Sequence, residues 1–153
     1  MNTEQVLGQE IQLIGITLPY KTTNADGKSM ADIAWLWQKW TQDETSKKIQ
    51  NKISDDVYAV YYNYEGDHTK PYSYFIGCAV SENTSIPEGL TALLIPSGSY
   101  TKIVTKGKLP DAVAAAWQEI WQSGLKRNYK TDYEVYLMNS KDWNNMEVNI
   151  ILS

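Results

Sequence analysis

A strand–helix–strand–strand pattern runs through this sequence twice, and few folds accommodate it. The apolar run "EIQLIGIT" precedes a helical pattern in "KSMADIAWLWQKW", and "VYAVYYNY" and "YSYFIGCAV" follow it. Further on, "LTALLIP" and "SYTKIVT" precede "LPDAVAAAWQEIW", with "DYEVYLM" and "MEVNIIL" after it. In the first helix Ile33, Leu36, Trp37 and Trp40 recur at the i, i+3, i+4, i+7 spacing of one face. Leu109, Val113, Ala116, Trp117 and Ile120 form the matching stripe of the second. Ser29, with Asp32 three residues on, predicts a capping box for the first helix. Pro110 and Asp111 open the second, and Gly124 stops it. The strands are bounded by Gly-, Pro-, Asn- and Asp-rich turns such as "NADGKS", "EGDHTKP" and "SENTSIPEG".

The two halves also align by residue. Trp37-Gln38 lines up with Trp117-Gln118 at an offset of 80, and Tyr58, Val60 and Tyr61 with Tyr133, Val135 and Tyr136 at 75. Tyr72 lines up with Glu147 at the same offset of 75, and the extra first-half residues fall in "TQDETSKKIQNKIS". The expected architecture is α+β: two βαββ halves, about residues 9–82 and 90–153, in one domain spanning 1–153. They would share a mainly antiparallel sheet with both helices on one face.

Composition excludes more than it identifies. The net charge is −4 and no Lys/Arg run exceeds two residues, so the basic footprint of a nucleic-acid binder is missing. Direct DNA binding is not expected. The lone Cys78 cannot form an internal disulfide, and its strand context "YFIGCAVS" marks it as a small core hydrophobe in a cytoplasmic protein. "MNTEQVLGQE" has neither the basic nor the apolar region of a signal peptide, and no apolar run approaches the ~18 residues of a membrane span. His68 is the only histidine, so a His-based metal site, a haem pocket or a Ser-His-Asp triad has little to draw on, and a loop position is expected for it. "DGKS" lacks the upstream glycine of a phosphate loop. No metal or cofactor is called for. The 11 Tyr and 6 Trp stand against one Phe, a bias toward rings with a polar edge that suit wet pockets as well as cores. Trp35, Trp37 and Trp40 read as core and helix-surface packing, and Trp143 in "KDWNN" as a hairpin residue.

One carboxylate is out of place. In "TDYEVYL", strand alternation sets Glu134, Tyr136 and Met138 on one face and Tyr133, Val135 and Leu137 on the other. The first-half counterpart of Glu134 is Ala59, so the halves differ there. A buried carboxylate is costly unless it is paired, protonated or matched by a ligand. Glu134 is therefore either a solvated or salt-bridged residue, with Lys126, Arg127 or Lys130 as partner, or part of a binding site.

The stretch "IPSGSYTKIVTKGKLPDAVAAAWQEIWQSG", with "DYEVYL" and "MEVNIILS", resembles the GyrI-like family, the effector-binding domain of AraC-type transcription activators that recurs in MerR-type multidrug sensors. Pro96, Gly98, Tyr100, Ala116, Trp117, Glu134 and Tyr136 carry the likeness, and Gly77, Pro87, Glu88 and Gly89 extend it upstream. The resemblance implies a cleft between the two helices and the sheet, with Glu134 at its floor. Tyr136 and Trp117 would contact the ligand, Tyr61 would line the opposite wall, and Trp143 would fold over the mouth. It implies an amphipathic or cationic aromatic small molecule as partner. No helix-turn-helix segment precedes the domain, so a stand-alone binding protein is expected rather than a complete regulator. Two alternatives accompany it: a hydrolase of cyclopropanoid alkylating compounds, with Glu134 as general base and Tyr136 orienting water, and a protein-interaction module acting on a topoisomerase. A homodimer or another protein partner is left open.

Overall fold

Each half of the chain folds as its pattern requires and carries one strand more. In the computed structural model, which describes residues 1–139 and 142–153, the first half has β2 (Ile11–Thr17), α1 (Lys28–Gln42), the short α2 (Thr45–Lys48), β3 (Val57–Tyr62) and β4 (Ser73–Ala79). The second has β6 (Gly98–Gly107), α3 (Asp111–Gln122), β7 (Thr131–Tyr136) and β8 (Met146–Leu152). The additional strands are β1 (Thr3–Gly8) and β5 (Thr91–Ile95). All eight form one antiparallel sheet in the order β1-β6-β8-β7-β3-β4-β2-β5. The halves meet where β3 pairs with β7.

The extra strands change the expected division of the chain. "LTALLIP" falls in the expected second half, yet β5 pairs with first-half β2, while β1, outside the expected boundary at residue 9, pairs with second-half β6. Only Gln9 and Glu10 separate β1 from β2, and only Pro96 and Ser97 separate β5 from β6, although each pair sits at opposite ends of the sheet. A two-residue link reaches at most about 11 Å. The sheet therefore curls until its ends approach each other. This accounts for a second core on the face without helices, where Leu13, Val60, Phe75, Tyr100, Tyr133 and Ile151 are buried inside the curl. On the outer face α1 and α3 cover the larger core through Leu36, Trp40, Val113, Ala116 and Ile120. Cys78 lies fully buried in that core, as its context suggested.

Two local expectations are corrected. Tyr58 pairs with Gly77, and its counterpart Tyr133 with Ile151, so the closing strands align at an offset of 74 and Tyr72 matches Met146, not Glu147. A one-residue slip moves a side chain to the opposite face of a strand; Tyr72 and Met146 are both buried, whereas Glu147 is not. Nor does Ser29 cap α1. A 3-10 turn at Ala25–Gly27 leads straight into the helix, the Ser29 amide donates to the Thr23 carbonyl, and Asp32 accepts instead from Thr22 Oγ1 (2.7 Å) and Lys28 Nζ (2.8 Å).

Gly77 pairs with Gly15 across β2 and β4, where neither position has room for a side chain. A Cβ on Gly77 would lie 2.5 Å from the Phe75 ring and 2.6 Å from the Ile14 carbonyl oxygen. Gly77→Ala is expected to destabilise the fold by about 1–3 kcal/mol through overpacking. A urea midpoint unchanged from wild type would refute that.

Candidate functional site

The pairing of the halves places Glu134 on their pseudo-twofold axis. Ala59 and Glu134 are repeat counterparts and are also direct partners across β3 and β7. A residue on such an axis faces its own counterpart, with side-chain origins only about 4.5–5.5 Å apart. Two glutamates there would set two carboxylates against each other, and one would have to hold a proton. Ala59 removes the conflict. The departure from symmetry noted in the sequence is thus what the axis requires.

Around that single carboxylate the symmetry returns. The counterparts Tyr61 and Tyr136 both donate to it: Tyr61 OH to Oε2 at 2.7 Å and Tyr136 OH to Oε1 at 2.7 Å. Trp117 on α3 adds its indole N–H to Oε2 at 2.6 Å. Its counterpart Trp37 donates to the Tyr74 hydroxyl at 2.9 Å. Each tryptophan meets the tyrosine of the other half edge-on, Trp37 with Tyr136 at 4.9 Å and Trp117 with Tyr61 at 5.2 Å between ring centroids. The structure therefore brings Glu134, Tyr136, Trp117 and Tyr61 together. It adds Trp37, which its spacing marks as core and helix-surface packing, and Tyr74, which no sequence feature singles out. Pairing Trp37 with Trp117 at the offset of 80 was the signal that could have found the first of them.

Glu134 is 1% exposed, and burial raises its carboxyl above the ordinary 4.5, against the downward pull of hydrogen bonds from Tyr136, Trp117 and Tyr61. Burial, and then the charge of Glu134, push the Tyr61 and Tyr136 hydroxyls well above their usual range, which keeps them protonated donors. Among the described residues no Lys, Arg or His forms an ion pair with Glu134, and the Arg127 named as a candidate partner pairs instead with Asp132 at 2.6 Å. A carboxylate offers about four acceptor positions. Three are used, and Oε1 retains one.

Between the helices and the sheet the rings of Trp37, Tyr136, Tyr61, Tyr74 and Trp117 meet edge-on in pairs. Trp143, 47% exposed in the β7–β8 connection, stands 6.1 Å from Trp37 and 6.4 Å from Tyr136. Beside it a cavity of about 210 Å³ runs between Trp37, Trp40, Met138 and Trp143. Another, of about 300 Å³, lies between α3 and β6, away from Glu134. His68 sits in the β3–β4 loop, as expected, with its ring stacked on Trp121 at 5.3 Å. Among the described residues no group of three or more His, Cys, Asp or Glu is placed to hold a metal ion, and no helix is long and apolar enough to cross a membrane.

Residues 9–152 match the family of integron-associated effector binding proteins, Cass2. The chain belongs to this family. Its relatives include YobU of Bacillus subtilis strain 168, provisionally named a transcriptional regulator, which is 26% identical over 89% of this chain and 88% of its own. An integron cassette protein from the mobile metagenome of Vibrio cholerae is 27% identical, with a TM-score of 0.72 over 99% of this chain and 95% of its own. SAV2435, solved bound to tetraphenylphosphonium, shares the fold at 18% identity, with a TM-score of 0.76 over 100% of this chain and 94% of its own. The Cass2 chain is thus an effector-binding, small-molecule-binding domain with the GyrI-like fold that its motifs resembled. The Pro-Ser-Gly-Ser-Tyr element has a plain physical role here: the Tyr100 hydroxyl donates to the Pro96 carbonyl at 2.5 Å, so the turn into β6 closes on itself.

Proposed function

We propose that this Cass2 protein binds amphipathic or cationic aromatic molecules, with Glu134 as the charge partner and Tyr61, Tyr136, Trp117 and Trp37 as walls. One observation carries the reading. A fully buried carboxylate is held by three neutral donors and, among the described residues, faces no cation. Such a site favours a delocalised cation, because the charge is uncompensated and each surrounding ring adds a cation–π term of about 0.5–2 kcal/mol. The tetraphenylphosphonium bound by SAV2435 is a guest of that chemistry and supports the reading. The guest takes the place of ring-on-ring contacts, entering from the cavity beside Trp143.

Titration with tetraphenylphosphonium is expected to give saturable quenching of tryptophan fluorescence, because Trp117 and Trp37 both line the site. A panel of aromatic cations that left the emission unchanged would refute the assignment. Chromatography of the same mixtures after incubation separates binding from turnover, and unaltered guests are expected.

A further inference from the structure

The effector site adjoins a second charged group for which the function above has no use. Arg127 and Asp132 form a buried ion pair at 2.6 Å, with side-chain exposures of 4% and 0%. Asp132 has nothing further to give. Its Oδ2 accepts from Arg127 Nη2 and from Tyr64 OH, and its Oδ1 accepts from the amide and hydroxyl of Ser153, so all four acceptor positions are taken. Nε and Nη1 of Arg127 have no hydrogen-bond partner among the described residues. Charged donors left in that condition are costly, and buried polar groups in native structures nearly always find acceptors.

Arg127 and Glu134 share a neighbour, Trp117. The Arg127 guanidinium lies over the face of Trp117, 5.4 Å from the ring centroid, and the edge of that same indole donates to Glu134. Its other neighbour is the Tyr129 ring, with the guanidinium carbon 4.2 Å from the ring centroid. Tyr129 holds φ at 53°, a left-handed conformation unusual for a bulky residue, and such strain collects at ligand clamps. One indole thus separates a buried anion from a buried cation with unspent donors.

We propose that Arg127 is a second pole of the effector site, so that the preferred effectors are dipolar: planar aromatic compounds with a cationic group for Glu134 and a carboxylate or comparable acceptor for Nε and Nη1 of Arg127. The proposal rests on the binding function given above. It narrows that function from cations in general to molecules that carry both charges.

The test compares a rhodamine free acid, zwitterionic at neutral pH, with its methyl ester, which keeps the planar cation and has no carboxylate. Wild type should bind the acid about tenfold more tightly than the ester, the worth of one charge-assisted hydrogen bond. Arg127→Lys keeps a cation for Asp132 and removes the unspent N–H groups on Nε and Nη1, so the ratio of the two affinities should fall to about one. Glu134→Gln should weaken both dyes. Equal affinities in wild type, or a preference that survives Arg127→Lys, would overturn the second pole alone. Binding of neither dye nor tetraphenylphosphonium would overturn the binding function and this inference with it. The wild-type comparison decides the matter even if the variant fails to fold.

Discussion

Glu134→Gln is expected to weaken tetraphenylphosphonium binding by about tenfold or more while the protein stays folded. The gross attraction between unit charges 4 Å apart is about 4 kcal/mol at an effective dielectric constant of 20, and desolvation offsets part of it. What survives need only exceed about 1.4 kcal/mol to give the tenfold loss. The substitution keeps the shape of the side chain but brings two N–H donors into a position where Tyr61, Tyr136 and Trp117 already donate. The variant therefore needs a thermal melt alongside the titration, to separate lost charge from lost packing.

The same residue predicts opposite pH dependences for stability and for affinity. Burial raises the Glu134 carboxyl above 4.5, so the folded protein holds that proton more tightly than the unfolded chain. Its contribution to stability is fully present below the unfolded value and declines as pH rises through the folded one. A permanent cation binds the carboxylate form. Its affinity should therefore rise across that interval, with release of a proton on binding. Calorimetry in buffers of different ionisation enthalpy would measure the release, and Glu134→Gln should abolish it. A pH-independent wild-type affinity across this range would remove Glu134 from the role of charge partner.

The largest loss of stability is expected from Asp132→Ala. It strips a 4%-exposed guanidinium of its ion-pair partner and frees Ser153 and Tyr64 from their acceptor. Breaking a buried pair from one side costs about 3–5 kcal/mol, a large part of the 5–15 kcal/mol that holds a typical domain together. Urea denaturation followed by circular dichroism measures it. The double replacement Arg127→Met with Asp132→Leu should recover much of the loss, because neither charge then remains buried. A double variant as unstable as the single one would show that the damage lies in packing and in the tether to Ser153, not in the stranded charge.

Most of the sheet could be read from the sequence because burial imposes period. In β3 and β7 alternate residues enter the two cores, and the repeated Tyr-x-Val-Tyr records that alternation twice. β1 left no such record. It is an edge strand with little of its surface covered, and Leu7 is 84% exposed, so nothing constrained its residues to alternate. Ser29 and Asp32 misled for a related reason. Their spacing suits a capping box, but Thr22 and Thr23 supply the partners from outside the helix. Among the candidate residues around Glu134, the strand positions carry a motif. Trp37 does not, because an indole that reaches Tyr136 from another element has the same local spacing as one that fills a core.

From the sequence alone came the duplication, the faces of the strands, and a carboxylate with an alanine as its counterpart. Each of these is a local pattern, recorded within a few residues or by comparing the halves. The tertiary structure alone decided that Ala59 and Glu134 face each other on the axis, that β1 and β5 exchange ends of the sheet, and that Arg127 turns to Asp132. These outcomes depend on register and closure between segments far apart in the chain. Burial and hydrogen bonding select among many pairings only once the whole sheet is assembled.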